Sequence, residues 1–422
     1  MLVVLSFSVF LAIFIIVGLA SVKLSKGTNK DYLVAGRGIK PWMVALSAVS
    51  TNNSGYMFIG QIGFTYMQGL SSIWLMIGWI TGDFLMSLFV HKRLREVSEQ
   101  RDILSFGGLL SRWWGTDYRK FRLLVGIITV VFLGAYAAAQ FKAGGKALNV
   151  LFGWDTSTGV IIGAIMVVAY CLAGGIRASI WTDAAQSIVM IFAMTTLLVF
   201  AVNEAGGISE YFAKASGVSD TYMTWFPDNL LLGSISGPFL FVLGWLFAGF
   251  GIVGQPHIMI RLMTMDSAKN MNRFRTYYYT WYTLFYLFAI GVGFSARILL
   301  PETANFDPEL SLPTLSQNLL PEFLVGVMLA GIFAATMSTA DSQILSCSAA
   351  FTRDILPRET DKYWVTKAAT ILIAVGAMLI ALFGSQNVFN LVLIAWSVLS
   401  AAFAPILVLF SLGKKIMSKL LY

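Results

Sequence analysis

The sequence predicts an all-α polytopic membrane protein, and three observations carry the prediction. Of its 422 residues 57% are hydrophobic and only 12% charged, with a mean hydropathy of +0.76, a composition that excludes a soluble globular class. The apolar residues fall in long runs, and a helix that crosses the hydrocarbon core needs about 20 of them at roughly 1.5 Å rise each. The basic residues gather in alternate loops between those runs, which is how a polytopic chain is oriented.

On that rule the chain holds about eleven transmembrane helices: 2–22, 41–64, 70–91, 122–149, 157–176, 181–203, 232–255, 276–300, 322–350, 364–384 and 388–412. The first run lacks a basic leader and a small-residue cleavage site, so it reads as a retained helix and not a signal peptide. Loops after the first, third, seventh and ninth runs hold clusters such as Lys23, Lys26, Lys30, Arg37 and Lys40, or Arg353, Arg358, Lys362 and Lys367. Intervening loops are poor in Lys and Arg and carry Glu204, Glu210, Glu302 and Glu309. The N-terminus is therefore expected outside and Lys414, Lys415 and Lys419 in the cytoplasm, across a plasma or inner cell membrane. The net charge of +8 reflects this topology, and no nucleic-acid partner is expected. Cys171 and Cys347 lie inside apolar runs and support neither a disulfide framework nor a metal cluster.

Loops 92–121 and 204–231 are long enough for surface amphipathic helices, but no linker or second soluble domain appears. The whole chain, 1–422, reads as one transmembrane transporter domain. With the first span (1–30) set aside, the other ten divide as five plus five, 41–203 and 232–412. An odd number of spans per half makes the halves enter the membrane in opposite directions, an inverted repeat.

That symmetry has a test at the first span of each half. In the second run, Ser50-Thr51-Asn52-Asn53-Ser54-Gly55-Tyr56 is polar or glycine between apolar flanks. Loosened backbone is tolerated at membrane depth only where protein or a wet cavity satisfies it, so this is read as a discontinuous helix lining a binding site. A helix end at the interface is the plain alternative, and the apolar run resuming at Met57, Phe58 and Ile59 speaks against it. The matching span of the second half, from Gly244 through Gly249, Gly251 and Gly254 to Gln255 and Pro256, is interrupted too. Paired irregular helices at matching positions point to a transporter's substrate site.

The run 322–350 contains a second polar cluster, in which Ala335, Ser338, Thr339 and Ser342 share one helical face. Its hydroxyls, with carbonyls from the Ser50 to Asn53 stretch, would offer an oxygen-only shell, suited to a monovalent cation better than to Ca²⁺ or a transition metal. Hydroxyls that merely glue helices together are the alternative. Asp183 opens a span, where an intramembrane carboxylate is a functional candidate by default and a helix cap or dipole partner is the alternative. Asp83 lies deeper, with no partner evident and no role assigned; His257 is read as structural. Tyr56, Tyr136, Trp245 and Phe250 could build an aromatic pocket, although aromatics make up 14% of the chain and any one of them taken alone reads first as core. No P-loop, nucleophile elbow or metal-ligand spacing appears, so no enzyme is expected and an ion gradient is left as the energy source.

Five stretches carry a resemblance: Asp31-Tyr32-Leu33-Val34-Ala35-Gly36-Arg37, the 45–56 break, Gly174-Gly175 through Trp181-Thr182-Asp183 and Gln186, Gly254-Gln255-Pro256-His257-Ile258 with Arg261, and 337–343. In this order, over nearly the whole length, the chain resembles the sodium/solute symporter family, most closely its sodium/proline branch. The resemblance implies a five-plus-five inverted repeat of the leucine-transporter type and a Na⁺ site between the first and eighth core helices. That site would use carbonyls of Ser50, Asn53 and Ala335 and hydroxyls of Ser338 and Thr339, with Asp183 near the ion path. A substrate pocket would take Asn52, Tyr56, Gly60, Tyr136, Gln255 and Pro256, and Arg37 would gate the cytoplasmic mouth. The function implied is sodium-coupled import of a small organic solute, proline or a related amino acid, by a monomer in the lipid bilayer. Another solute such as a carboxylate, or a transporter-like sensory membrane domain, is the alternative.

The chain departs from that branch in three ways. Asn52 stands where the branch has an Asp that serves sodium-coupled uptake, so the oxygen is kept and the charge lost. Tyr56 replaces a Trp, and Ala248 and Ile252 occupy pocket aromatic positions. The family usually adds two helices after the tenth; they lie outside the repeat, so transport is possible without them, while stability or assembly could suffer.

Overall fold

In a computed structural model the chain is helical almost throughout, and the structure describes residues 1–228, 230, 232–300, 306–357, 362–384 and 388–415. Glu302, Arg358 and Lys419 of the charge pattern lie outside the described residues. In chain order the helices begin with α1 (Leu2–Ala20), α2 (Asn29–Val34), α3 (Pro41–Gly55), α4 (Ile62–Gln68) and α5 (Ile73–Phe89). They continue through α6 (His91–Gln100), α7 (Phe106–Arg112), α8 (Arg119–Ile128), α9 (Gly134–Phe152), α10 (Thr156–Glu204) and α11 (Ile208–Ser216). The second half holds α12 (Gly233–Phe250), α13 (Pro256–Met263), α14 (Met271–Leu299), α15 (Ser311–Leu319), α16 (Glu322–Ala349), α17 (Tyr363–Phe383) and α18 (Val388–Ser411). Loop 92–121 thus carries α6 and α7, loop 204–231 carries α11, and α15 is a short helix that the apolar pattern does not announce.

Among the described residues nine continuous helical stretches are long and apolar enough to cross a membrane. Two of them, Pro41–Phe89 and Thr156–Glu204, run 49 residues each, roughly 73 Å at 1.5 Å per residue, more than twice the hydrocarbon thickness. Each is interrupted by a glycine at positive φ, Gly69 (63°) and Gly175 (58°). Each stretch therefore supplies two of the runs counted in the sequence.

Gly175 combines φ 58° with ψ −142°, a region open essentially to glycine alone, and a Cβ there would run into the Tyr32 carbonyl oxygen of α2. Gly175→Ala should cost roughly 1–3 kcal/mol for the backbone alone and more for the collision. A clearly lower midpoint in size-exclusion chromatography after heating checks it; a midpoint equal to wild type would show that the turn relaxes.

The core gathers around α16, in which every residue of 325–349 is buried. A helix buried on all sides needs small side chains where neighbours approach, and Gly326, Ala330, Gly331, Ala334, Ala335 and Ala340 supply them. Around it pack α1, α3, α9, α10 and α17. Outside this group α5 packs on α12 and α14, and α14 on α3. The outer side of α1 exposes Leu2, Leu5, Val9, Ile13 and Ile16, the apolar surface a lipid-facing helix presents.

Both interrupted helices are present. The break in α3 falls at Ser54 (φ 39°, ψ −179°), after which Tyr56–Gln61 winds as a π-helix. It lies later than the sequence pattern suggests: Ser50, Thr51, Asn52 and Asn53 keep helical geometry. Backbone parts where it can be re-satisfied, and here the Gly55 amide donates to Gln140 Oε1 at 2.7 Å and the Tyr56 amide to Ser54 Oγ at 3.0 Å. Between α12 and α13 the turn Gly251–Gly254 and extended Gln255 (φ −93°, ψ 105°) form the second break, with Pro256 opening α13. Proline suits a first helical position because its missing amide would be unpaired there anyway. A short bridge joins the segment before α3 to the segment after α13: the Ile39 amide donates to the Thr264 carbonyl at 3.2 Å and the Asp266 amide to the Ile39 carbonyl at 2.9 Å.

Candidate functional site

Where α3 meets α16, oxygen atoms face one another. Ser50 Oγ donates to Ser338 Oγ at 2.9 Å, and Ser338 Oγ lies 3.3 Å from the Ser50 carbonyl and 3.1 Å from that of Ala335. Thr339 Oγ1 lies 2.9 Å from the Thr51 carbonyl, 3.2 Å from Ala335's and 3.5 Å from Ser50's. Every residue of the group is buried. These are neutral, hard oxygens a few ångströms apart, the donor set that a small monovalent cation can use. Asn53 sits on the same turn, but its carbonyl accepts from the Tyr56 amide and its side-chain amide has no hydrogen-bond partner.

One turn away the oxygen cluster grades into charge. The fully buried Arg261 guanidinium of α13 stands 3.4 Å from Asp183 Oδ2 and 3.2 Å from Asp341 Oδ1. Ser47 Oγ of α3 donates to Asp183 Oδ2 at 2.5 Å, and Ser179 Oγ to Asp341 Oδ1 at 2.7 Å. Ser342 joins both sets, bonded to Arg261 and to Asp341 and 2.9 Å from Thr51 Oγ1. The structure thus places Asp183 against α3 as part of a network with one cation and two carboxylates. The sequence reading gave Arg261 and Asp341 no role; the signal available was that charges inside apolar segments need each other.

On the other side of α3, Asn52, Tyr56 and Met57 meet Trp79 of α5, Tyr136 of α9, Tyr282 and Tyr286 of α14, and Trp396 of α18 around a cavity of about 10 Å³. That is room for about one water, too little for an organic solute in this arrangement. No charged side chain lines it. Asn52 Nδ2 donates to the Tyr278 hydroxyl at 3.2 Å, and the Tyr136 hydroxyl to Ser54 Oγ at 3.4 Å. The other residues singled out for a pocket stand elsewhere. Gln255 turns to α18, its Nε2 donating to the Trp396 carbonyl at 3.1 Å and to Ser400 Oγ at 2.9 Å. Gly60 and Pro256 are buried but do not line the cavity, and Trp245 stacks behind Trp79 with ring centroids 6.4 Å apart.

At the end of the bundle that carries the basic loops, Arg37 adopts φ 58°, and its Nη1 pairs with Asp102 at 2.8 Å while Nη2 donates to the Ser98 and Ile103 carbonyls, each at 2.8 Å. Lys30 reaches the same Asp102 oxygen at 2.7 Å. The Lys30 ammonium, offset in part by burial and helped by Arg37, holds the Asp102 carboxyl below the usual carboxylate range. A depressed carboxyl keeps its charge as pH falls through that range, so the clasp holds at neutral pH and opens only in acid.

The profile of the sodium:solute symporter family matches residues 32–419. Sodium/proline symporter 2 of Staphylococcus saprophyticus is 32% identical over 426 residues, covering 97% of this chain and 81% of that protein. The sodium/proline symporter of Staphylococcus aureus is 31% identical over 418 residues, covering 96% and 80%. Among solved structures, a Na⁺-coupled sialic acid symporter in its substrate-bound outward-open state matches with a TM-score of 0.78 at 22% identity, over 91% of this chain and 82% of that one. MhsT in complex with L-phenylalanine matches with a TM-score of 0.60 at 14% identity, over 88% and 89%. The fold is of the leucine-transporter type.

Proposed function

The chain belongs to the sodium:solute symporter family, and on that premise we propose that it is a secondary active symporter that imports a small organic solute, proline or a related amino acid, together with sodium. The observation that carries the reading is the convergence of the broken α3 with α16: Ser50, Thr51, Ser338 and Thr339 present buried neutral oxygens to one another, and Asn52 and Tyr56 of the same broken helix wall a narrow, uncharged cavity. Two relatives named as sodium/proline symporters support the choice of solute.

Sodium enters the oxygen cluster by exchanging the hydroxyl contacts of Ser338 and Thr339 for its own, using the carbonyls of Ser50, Asn53 and Ala335, with Asp183 beside its path. Filling that cluster ties α3 to α16 and so sets the wall of the solute cavity, the differential contact that alternating access requires. With the N-terminus outside and the basic loops, Arg37 among them, in the cytoplasm, each inward sodium at roughly 100 mV contributes about 2.3 kcal/mol to solute accumulation.

Proteoliposomes loaded to give an inward sodium gradient should accumulate labelled proline, and replacement of sodium by potassium, or addition of a sodium ionophore, should abolish the accumulation. Equal uptake in both salts would overturn the sodium reading. If proline is inert, a thermal-shift screen of small amino acids and organic acids in sodium against potassium identifies the solute as the ligand that stabilises only in sodium.

A further inference from the structure

Asp83 is a buried acid outside the ion cluster. It lies mid-way along α5, one helical turn beyond the cavity-lining Trp79, with no solvent exposure and neither carboxylate oxygen hydrogen-bonded. The hydroxyls of Tyr278 and Tyr279 on α14 lie near it, outside hydrogen-bond geometry. Tyr278 also accepts the Asn52 amide at 3.2 Å, so two side chains separate Asp83 from the solute cavity.

No cation balances it among the described residues. Arg275, three and four residues before the two tyrosines, spends Nη2 on the Ser87 carbonyl at 2.6 Å and Nη1 on Asn272 at 2.8 Å. Tyr282 and, at the start of α6, His91 are the other titratable groups on this side, while α12 and α18 bring none. A carboxylate in such surroundings is held only if a cation joins it or a proton neutralises it. A metal ion is poorly served: α5 is an unbroken helix here, its carbonyls engaged in its own hydrogen bonds, which leaves one carboxyl and two phenols.

We propose that Asp83, with Tyr278 and Tyr279, is a proton-binding site coupled through Asn52 to the solute cavity. Building on the transport reading, this adds a proton as a second ligand at a place apart from the sodium cluster. The observed arrangement, both carboxyl oxygens unbonded and Tyr278 held by Asn52, is the one a neutral Asp83 permits. Tyr278 accepts from Asn52 through its oxygen lone pair and keeps its O–H proton for Asp83. An ionised Asp83 therefore draws the Tyr278 and Tyr279 hydroxyls toward α5, which stretches the Asn52 contact and loosens the cavity wall. Protonation therefore favours the solute-competent wall, and by linkage solute favours protonation.

The test begins without transport. Infrared titration of the purified chain in lipid should show a carboxylic-acid carbonyl band at neutral pH that disappears in alkali and is missing in Asp83→Asn; an identical band in wild type and Asp83→Asn overturns the proposal. Should Asp83→Asn not fold, Asp83→Glu must shift the band, and an unmoved band is equally decisive against. Labelled proline uptake at a fixed sodium gradient should fall by up to about tenfold per pH unit on the alkaline side, the slope of one proton. Tyr278→Phe should keep the band and flatten that slope. A slope unchanged in both Asp83→Asn and Tyr278→Phe overturns the coupling. Absence of proline uptake at any pH counts against the transport reading, and the infrared band still decides the proton site.

Discussion

Removing the two hydroxyls of Ser338 and Thr339 should cut sodium affinity more than any other pair of substitutions in the chain. A hydrogen-bonding or ligand contact to a charged group contributes about 1.5–3 kcal/mol, so Ser338→Ala and Thr339→Ala should each raise the sodium concentration for half-maximal uptake by about 10- to 150-fold. Both hydroxyls also satisfy buried carbonyls, those of Ser50, Thr51 and Ala335. A stability loss of about 1–3 kcal/mol accompanies each change, and sodium affinity must be read on folded protein. Thr336→Val separates the two effects. Thr336 sits on the same helix, its hydroxyl bonded to the Phe333 carbonyl at 2.9 Å, and is outside the oxygen cluster. It should lose stability comparably and leave the sodium dependence where it is. Sodium-dependent proline uptake and the sodium-induced thermal shift measure this. If Thr339→Ala keeps the wild-type sodium dependence, the α3–α16 cluster is glue between helices and the ion binds elsewhere.

The parts of the site readable beforehand are those where local chemistry conflicts with its surroundings. The polar and glycine run from Ser50 to Tyr56 cannot be an ordinary lipid-embedded helix, and glycines ending in Gln255-Pro256 cannot continue one. The helical spacing of Ala335, Ser338, Thr339 and Ser342 puts hydroxyls on one face before any partner is known, and that face meets Ser50 and Thr51. The position of the break is less legible. Where the backbone parts depends on which distant group can take its freed amides, and Gln140 on α9 was not marked by its neighbours. The cavity wall was the least legible part. Trp79, Tyr282, Tyr286 and Trp396 are four aromatics in a chain with 14% of them, and only tertiary packing separates a pocket ring from a core ring. Gln255, chosen for its place beside the break, spends its amide on α18. Proximity along the chain says nothing of which way a side chain turns once the backbone leaves the helix.

Arg261→Ala should leave little folded protein, because its guanidinium is the counter-charge of two carboxylates at once. Asp183 and Asp341 are as fully buried as Arg261 itself, and breaking a buried pair by removing one partner costs about 3–5 kcal/mol, a large share of a typical domain stability of about 5–15 kcal/mol. The cause is the stranded charge and not the missing contact, and the two can be told apart. Asp341→Asn alone leaves one cation facing one carboxylate and keeps an oxygen for Ser179 and Ser342, which now donate to it, so it should fold as well as wild type. Arg261→Met combined with Asp183→Asn and Asp341→Asn removes every charge together and should recover most of the stability lost in Arg261→Ala, since neutral replacement of a buried network is often close to neutral in energy. Thermal midpoints of the three variants in lipid order the outcomes: Asp341→Asn near wild type, the triple variant between, Arg261→Ala lowest. A triple variant no more stable than Arg261→Ala would mean that the guanidinium holds α13 to α10 and α16 by shape and hydrogen bonding, with charge compensation secondary.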